Sequence, residues 1–267
     1  MNIKKVRLGL IGKDVSQSHS ARIHTFILKE WGIACEYEQF SVLQEDFDSA
    51  MRRLLGDFDG FNVTIPYKRD VMGYLDEISD DAFSCGAVNT VLTKTGCGYN
   101  TDGRGFLLML REHNIDLKGK RVLVLGGGGA GRSTAASLKN SGAEVFLYQR
   151  RKEKLQEVCA QLGVQSVESP ETGGYDILIN CTGVGMHNTE GFSPVSISAF
   201  DGATVAVDLI YRPKESQFLQ VAKEKGLKTI NGEAMLFYQA YFADCIYAGR
   251  EASDAEAIAM YQKYCSE

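Results

Sequence analysis

No stretch of this sequence approaches the roughly 18 consecutive apolar residues that a membrane-spanning helix requires, so no membrane partner is expected. An excess of positive charge is missing too. The formal net charge of −5 argues against a general nucleic-acid binder. The seven cysteines (35, 85, 97, 159, 181, 245 and 265) are scattered and include no C-x-x-C pair, which excludes a zinc site or a disulfide framework as the organising device. Reduced thiols and a cytoplasmic location follow as expectations. The four histidines, His19, His24, His113 and His187, show no ligand spacing, so no metal is expected. The N-terminal MNIKKVRLGLIG is basic and then apolar, but its apolar part is too short for a signal peptide and reads as a first strand. Internal repeats and low-complexity segments are absent.

What is present is organised around RVLVLGGGGAGRS, residues 121–133. Val122 to Leu125 form the continuous apolar run of a parallel strand buried on both faces. Gly126, Gly127, Gly128 and Gly129 follow, then Ala130, Gly131 and a helix-forming segment. Strand, glycine turn and helix together present free backbone N–H groups to a phosphate. A plain tight turn is the competing reading of the same residues.

Upstream, Val6, Leu8 and Leu10 alternate as a strand, and Ile23, Phe26 and Ile27 have helical spacing. EYEQFSV (36–42) reads as a strand, and residues 47–55 as an amphipathic helix. Residues 60–65 form a third strand, closed by Pro66, which suits the first turn of a following helix. A hairpin is expected across residues 86–102, turning near Lys94 to Gly96, and then a helix over 103–113. Beyond the glycine turn, strands at 144–148, 176–181, 204–209 and 227–230 alternate with helices at 131–141, 155–162 and 218–225. Two last helices, 233–249 and 253–265, have no strand to follow and are expected to pack on the first domain. Ser253 and Glu256 have capping-box spacing at the start of the second. The fold expected is α/β with two α/β domains separated by a cleft. Residues 1–101 and 236–267 form an N-terminal substrate domain, and 102–235 a doubly wound, Rossmann-like domain for the nucleotide.

An NAD-binding unit carries an acid at the end of its second strand, where it accepts from the ribose 2′-OH. Here that strand runs into Gln149-Arg150-Arg151-Lys152-Glu153-Lys154, four cations in five residues from Arg150. Guanidinium groups there favour a 2′-phosphate, and hence NADP over NAD. Lys68, after the strand FNVTIPY, and Asp102, ending YNTD, are candidates for moving a proton. A lone Lys or Asp is more often a solvated surface charge or a helix cap. Ser16, Ser18 and Ser20 alternate, so an extended backbone would point all three hydroxyls one way, toward a polyhydroxylated or carboxylate ligand. They are also ordinary turn formers.

Eight motifs in order carry a family resemblance. They are Ser18-His19-Ser20, NVTIPYK (62–68), GAVNTV (86–91), GYNTDGRG (98–105), LGGGGA (125–130), INCTGVGM (179–186), DLIYRPKES (208–216) and NGEAMLFYQA (231–240). From about Leu8 to Ala240 the chain resembles the shikimate dehydrogenases. The resemblance implies reversible NADPH-dependent reduction of 3-dehydroshikimate to shikimate in aromatic amino-acid biosynthesis. Lys68 would exchange the proton at the reacting oxygen, paired with Asp102. Ser18 and Ser20 would take the substrate carboxylate, and Thr64, Asn89, Tyr211 and Gln239 would complete the substrate shell. Gly126 to Ala130 would hold the pyrophosphate; Gln149, Arg150, Arg151 and Lys154 the 2′-phosphate; Leu209 and Gly232 would approach the nicotinamide. A monomer or a homodimer is expected.

The chain departs from the family at Asp14-Val15-Ser16-Gln17, where Pro-x-x-His is usual, and at Ala21, usually Pro. A less constrained loop beside Ser18 and Ser20 is the expectation. A quinate/shikimate dehydrogenase using NAD is the neighbouring reading. A non-catalytic NADPH sensor is the distant one, against which the retention of both Lys68 and Asp102 speaks.

Overall fold

The computed structural model describes residues 5–267, and the first strand's expected residues before Lys5 lie outside it. The chain divides into two compact units. One runs to Leu108 and resumes at Phe237–Glu267; the other is Met109–Leu236.

The first unit holds a mixed six-stranded sheet of order β2-β1-β3-β5-β6-β4. Its elements are β1 (Lys5–Gly12), α1 (Ser20–Glu30), β2 (Ala34–Ser41), α2 (Phe47–Asp57), β3 (Gly60–Val63), β4 (Glu77–Ile78), α3 (Asp80–Cys85), β5 (Thr90–Leu92) and β6 (Cys97–Tyr99). The alternation along β1 sends Val6 and Leu8 to one face, where they meet Leu28, Ala243 and Tyr247. Ile11, on the opposite face, joins Met51 and Leu54 of α2. The expected hairpin is β5 and β6, antiparallel, with Gly96 at φ +62° in the turn between them.

No α-helix follows Pro66. The preceding peptide bond is cis, and only a 3₁₀ turn forms, over Asp70–Tyr74. The carbonyls that a helix would use are engaged elsewhere. Ile65 O accepts from Lys13 N–H at 3.1 Å, and Lys68 O accepts from Val88 N–H at 2.7 Å. That second bond ties Lys68 to the strand-entry segment before β5.

The second unit is a parallel sheet of order β12-β11-β10-β7-β8-β9. α4 (Asp102–Glu112) leads into β7 (Arg121–Leu125), α5 (Gly129–Asn140), β8 (Glu144–Tyr148), α6 (Lys152–Leu162) and β9 (Gln165–Ser166). Then come β10 (Ile177–Asn180), β11 (Val205–Asp208), α7 (Gln217–Glu224) and β12 (Lys228–Asn231). Numbered from β7, this is the 3-2-1-4-5-6 order of doubly wound dinucleotide-binding sheets, with its switch point between β7 and β10. Val122 to Leu125 are fully buried, as the apolar run requires.

The closing helices are α8 (Glu233–Ala248) and α9 (Asp254–Ser266). Ala243 and Tyr247 of α8 pack on β1, so this helix returns to the first unit's core. Half of the expected capping box forms. Ser253 Oγ accepts from Glu256 N–H at 3.4 Å, but the Glu256 carboxylate turns away to Trp31 Nε1 (3.0 Å) and Tyr241 OH (2.6 Å). Two aromatic donors outcompete one backbone N–H for that carboxylate.

Candidate active site

Strand register sets the site in the first unit. Asn62 of β3 lies opposite Thr90 of β5, and Thr90 opposite Tyr99 of β6. The residues just beyond these strand ends therefore emerge side by side. Lys68 Nζ donates to Asp102 Oδ2 at 2.5 Å, and the two residues are only 9% and 6% exposed. The other carboxylate oxygen, Oδ1, accepts from Asn89 Nδ2 at 2.8 Å. Asn89 is itself fixed: its Oδ1 takes the Thr101 N–H at 2.9 Å, and its Nδ2 also reaches Thr101 Oγ1 (2.9 Å) and Gln239 Oε1 (3.4 Å). Gln239 comes close because Gly105 of α4 has no side chain. A Cβ there would lie 2.7 Å from the Gln239 backbone nitrogen.

A buried ion pair is a poor stabilising device, since desolvation offsets most of its attraction. Its value here is chemical. An ammonium has three N–H donors, and Asp102 is the one partner of Lys68 Nζ among the described residues. Donors remain for a ligand oxygen. The Thr64 hydroxyl, half-buried four residues before Lys68, likewise makes no hydrogen bond within the described residues.

Ser18 and Ser20 meet, with Ser18 Oγ donating to Ser20 Oγ at 3.0 Å and accepting from Ser20 N–H at 3.2 Å. Ser16 does not join them. The segment turns rather than extends, and both the N–H and the hydroxyl of Ser16 bond to Asp14 Oδ1. The three serines therefore do not share a face. The same Asp14 closes the loop expected to be less constrained, helped by Val15 N–H donating to Ser41 Oγ (3.1 Å) and Ser18 N–H to Val15 O (3.0 Å).

In the second unit, Gly126 at φ +104° turns the chain out of β7, a conformation that side chains rarely adopt. Gly131 allows α5 to sit against that turn, because a Cβ on it would collide with Gly126 O. Gly128, the residue before α5, faces open space, and no side chain caps the helix. Gly127, Gly129 and Ala130 complete this uncapped N-terminus, whose first N–H groups have no partner inside the helix. Uncapped N–H groups beside a turn without side chains suit a pyrophosphate.

The Gln149 side chain folds back, its Nε2 donating to Arg151 O at 2.8 Å and its Oε1 lying over Gly127. Arg150, Arg151 and Lys154 are exposed and form no ion pair with described residues. These donors fit a 2′-phosphate. Leu209 and Gly232 are in contact, since a Cβ on Gly232 would overlap Leu209 O. Tyr211 is half-buried, and burial raises its phenol above the ordinary tyrosine range, with Arg212 opposing. It belongs to this second unit, unlike the other residues expected to hold substrate.

Several linking residues stand inside the family motifs with no role assigned to them there: Asn62, Thr101, Asn180 and Asp208. Asp208, fully buried at the end of β11, accepts from Ser216 Oγ (2.5 Å), Asn180 Nδ2 (3.1 Å) and Ile210 N–H (3.0 Å). It thereby fastens the loops after β10 and β11. Burial pushes its carboxyl up to about 6, against the lowering effect of those three hydrogen bonds. Between about pH 4 and 6 the folded protein holds a proton that the unfolded chain has lost, so this group's contribution to stability falls as pH rises through that window. Asp208→Asn removes the titration. Its stability relative to the wild type should rise by on the order of 2 kcal/mol from pH 4 to pH 7. Urea unfolding of both proteins at the two pH values measures this, and an unchanged difference would refute it.

Two family models match this chain. Residues 10–91 match the shikimate dehydrogenase substrate binding domain, and residues 113–218 a putative NAD(P)-binding domain. A shikimate dehydrogenase (NADP(+)) of Carboxydothermus hydrogenoformans is 38% identical over 88% of this chain and 89% of its own length. The chain belongs to the shikimate dehydrogenase family. A second member, from Caldanaerobacter subterraneus subsp. tengcongensis, is 38% identical over 90% of this chain and 91% of its own. The crystal structure of the Thermus thermophilus shikimate 5-dehydrogenase in complex with NADP(H) and shikimate superposes with a TM-score of 0.87. It is 34% identical and covers 97% of this chain and 99% of its own. The two-sheet α/β architecture expected for this family is the one observed. Among the described residues no helix is long and apolar enough to cross a membrane.

Proposed function

We propose that this protein catalyses the reversible, NADP-dependent interconversion of 3-dehydroshikimate and shikimate, a cytoplasmic step of aromatic amino-acid biosynthesis. The observation that carries the reading is the buried Lys68–Asp102 pair, fixed by Asn89 and with ammonium donors left over. When bound, NADPH supplies the reducing equivalent to the ring carbonyl. Lys68 Nζ gives the oxygen its proton, and in the reverse direction takes it back. Asp102 Oδ2 aims the ammonium, and Asn89 holds Asp102 so that the aim does not wander.

The Ser18 and Ser20 hydroxyls take the substrate carboxylate. Thr64, Asn89, Tyr211 and Gln239 complete the substrate shell. Gly126 to Ala130 receive the pyrophosphate. Gln149, Arg150, Arg151 and Lys154 receive the 2′-phosphate, and Leu209 and Gly232 border the nicotinamide. The domain that binds substrate is built from residues before Asp102 and after Met235, and the NADP domain from those between.

Initial rates with shikimate and with quinate, each with NADP and with NAD, test the reading. Shikimate with NADP is expected to give the highest kcat/KM, with quinate lower by at least tenfold, about the effect of one poorly accommodated hydroxyl. No turnover of shikimate with either cofactor would overturn the function, and preference for NAD would overturn the cofactor assignment.

A further inference from the structure

Behind Ser20 lies a buried polar cluster that the proposed reaction does not use. His24 is one helical turn along α1 from Ser20, on the same face. Its Nδ1 is 2.7 Å from Asp244 Oδ1 of α8, and neither side chain is exposed. Burial pushes the Asp244 carboxyl up to about 6, with His24 holding it down. Above that pH the carboxylate only accepts, so Nδ1 carries the proton.

His24 Nε2, Asp244 Oδ2 and the Tyr247 hydroxyl make no hydrogen bond within the described residues. Polar atoms left unsatisfied in a core cost stability, and an apolar pair of similar volume would serve packing better. The cluster therefore has another use.

The His24 ring lies flat on Tyr37 of β2, with centroids 4.9 Å apart and planes at 16°. The Tyr37 phenol donates to Asn62 Oδ1 at 3.0 Å, and the Ser20 hydroxyl acts on the same phenol, lowering its pKa against the rise that burial causes. Asn62 Nδ2 in turn reaches Asn89 O at 3.3 Å. Hydroxyl, phenol and amide thus form one chain from Ser18 through Ser20, Tyr37 and Asn62 to the segment that holds Asp102.

We propose that His24 and Asp244 are positioning residues for the carboxylate end of the substrate, acting through the ring of Tyr37. The inference rests on the function proposed above. Asp244 fixes the tautomer and plane of His24, and the stacked imidazole fixes the plane of Tyr37. The phenol then holds the Ser20 hydroxyl and the Asn62 amide in register. Neither His24 nor Asp244 touches substrate.

The test begins with wild-type turnover of shikimate with NADP, whose absence overturns the function and this inference together. The double variant His24→Phe/Asp244→Leu keeps an aromatic ring against Tyr37 and removes both buried polar groups, so its Tm should equal or exceed the wild type's. Its KM for shikimate is expected to rise about tenfold, with kcat within about threefold and the KM for NADP unchanged. Asp244→Asn, which still offers an oxygen to Nδ1–H, should restore the wild-type KM. A purely structural role would move Tm and leave KM alone, and that result in the folded double variant overturns the inference while the function stands. Tyr37→Phe removes one oxygen from the relay and serves as a second arm should the double variant not fold. It should raise the shikimate KM and be non-additive with the other two substitutions. An unchanged KM in Tyr37→Phe overturns the inference as well.

Discussion

Lys68→Ala is expected to lower kcat about 10³-fold while leaving the dissociation constant of NADPH within about twofold of the wild type. The first figure is what a positioned acid–base group contributes to a proton transfer. The second follows from placement: Lys68 follows β3 of the first sheet, whereas the uncapped start of α5 and the cations after β8 belong to the second. The same substitution leaves the Asp102 carboxylate buried without its cation, with Asn89 Nδ2 as its remaining side-chain donor among the described residues. A stability loss of about 3 kcal/mol should accompany the kinetic one. Steady-state rates, fluorescence titration with NADPH and urea unfolding separate the three effects. Loss of cofactor binding with unchanged turnover per bound cofactor would refute the role assigned to Lys68.

The second large effect concerns cofactor choice. Arg150→Ala/Arg151→Ala should raise the KM for NADP about 100-fold and the KM for NAD by less than about twofold. A charge-assisted hydrogen bond to phosphate contributes about 1.5–3 kcal/mol, and exposed groups sit at the lower end, so two of them supply about 3 kcal/mol. Both guanidinium groups are exposed and form no ion pair with described residues, so the loss is not masked by the release of an internal ion pair. NAD has no 2′-phosphate and nothing to lose. Equal changes for the two cofactors would refute the assignment.

Where burial on both faces left a continuous apolar run, as in β7 and β10, the elements were legible in the residues themselves. So was the alternation of β1, whose two faces carry two different cores. The two-residue strands β4 and β9 are too short for any period to register, and α3 spans barely more than a turn. The helix expected after Pro66 does not form because the Ile65 and Lys68 carbonyls are claimed by Lys13 and Val88, distant in sequence, which no local pattern reveals.

The site divided in the same way. Lys68 and Asp102 stood out as types of residue, but what joins them is a geometry spanning 34 positions. Asn62, Tyr37 and Asp208 look like ordinary strand residues until their partners are known. The serine stripe misled because alternation implies a shared face only in an extended chain, and Asp14 turns this one.

The close approach of Gly105 to Gln239 has a consequence for how the protein comes into being. Synthesis runs from the N-terminus, and the second unit is an uninterrupted stretch that is complete once residue 236 has been made. By then Lys68, Asn89 and Asp102 have long emerged, yet their unit still lacks Gln239, and its β1 core still lacks Ala243 and Tyr247. The second unit can therefore complete its sheet from one uninterrupted stretch, whereas the first closes only when Phe237–Glu267 returns to it. A chain stopped at residue 236 would hold the whole second unit and an unfinished first one.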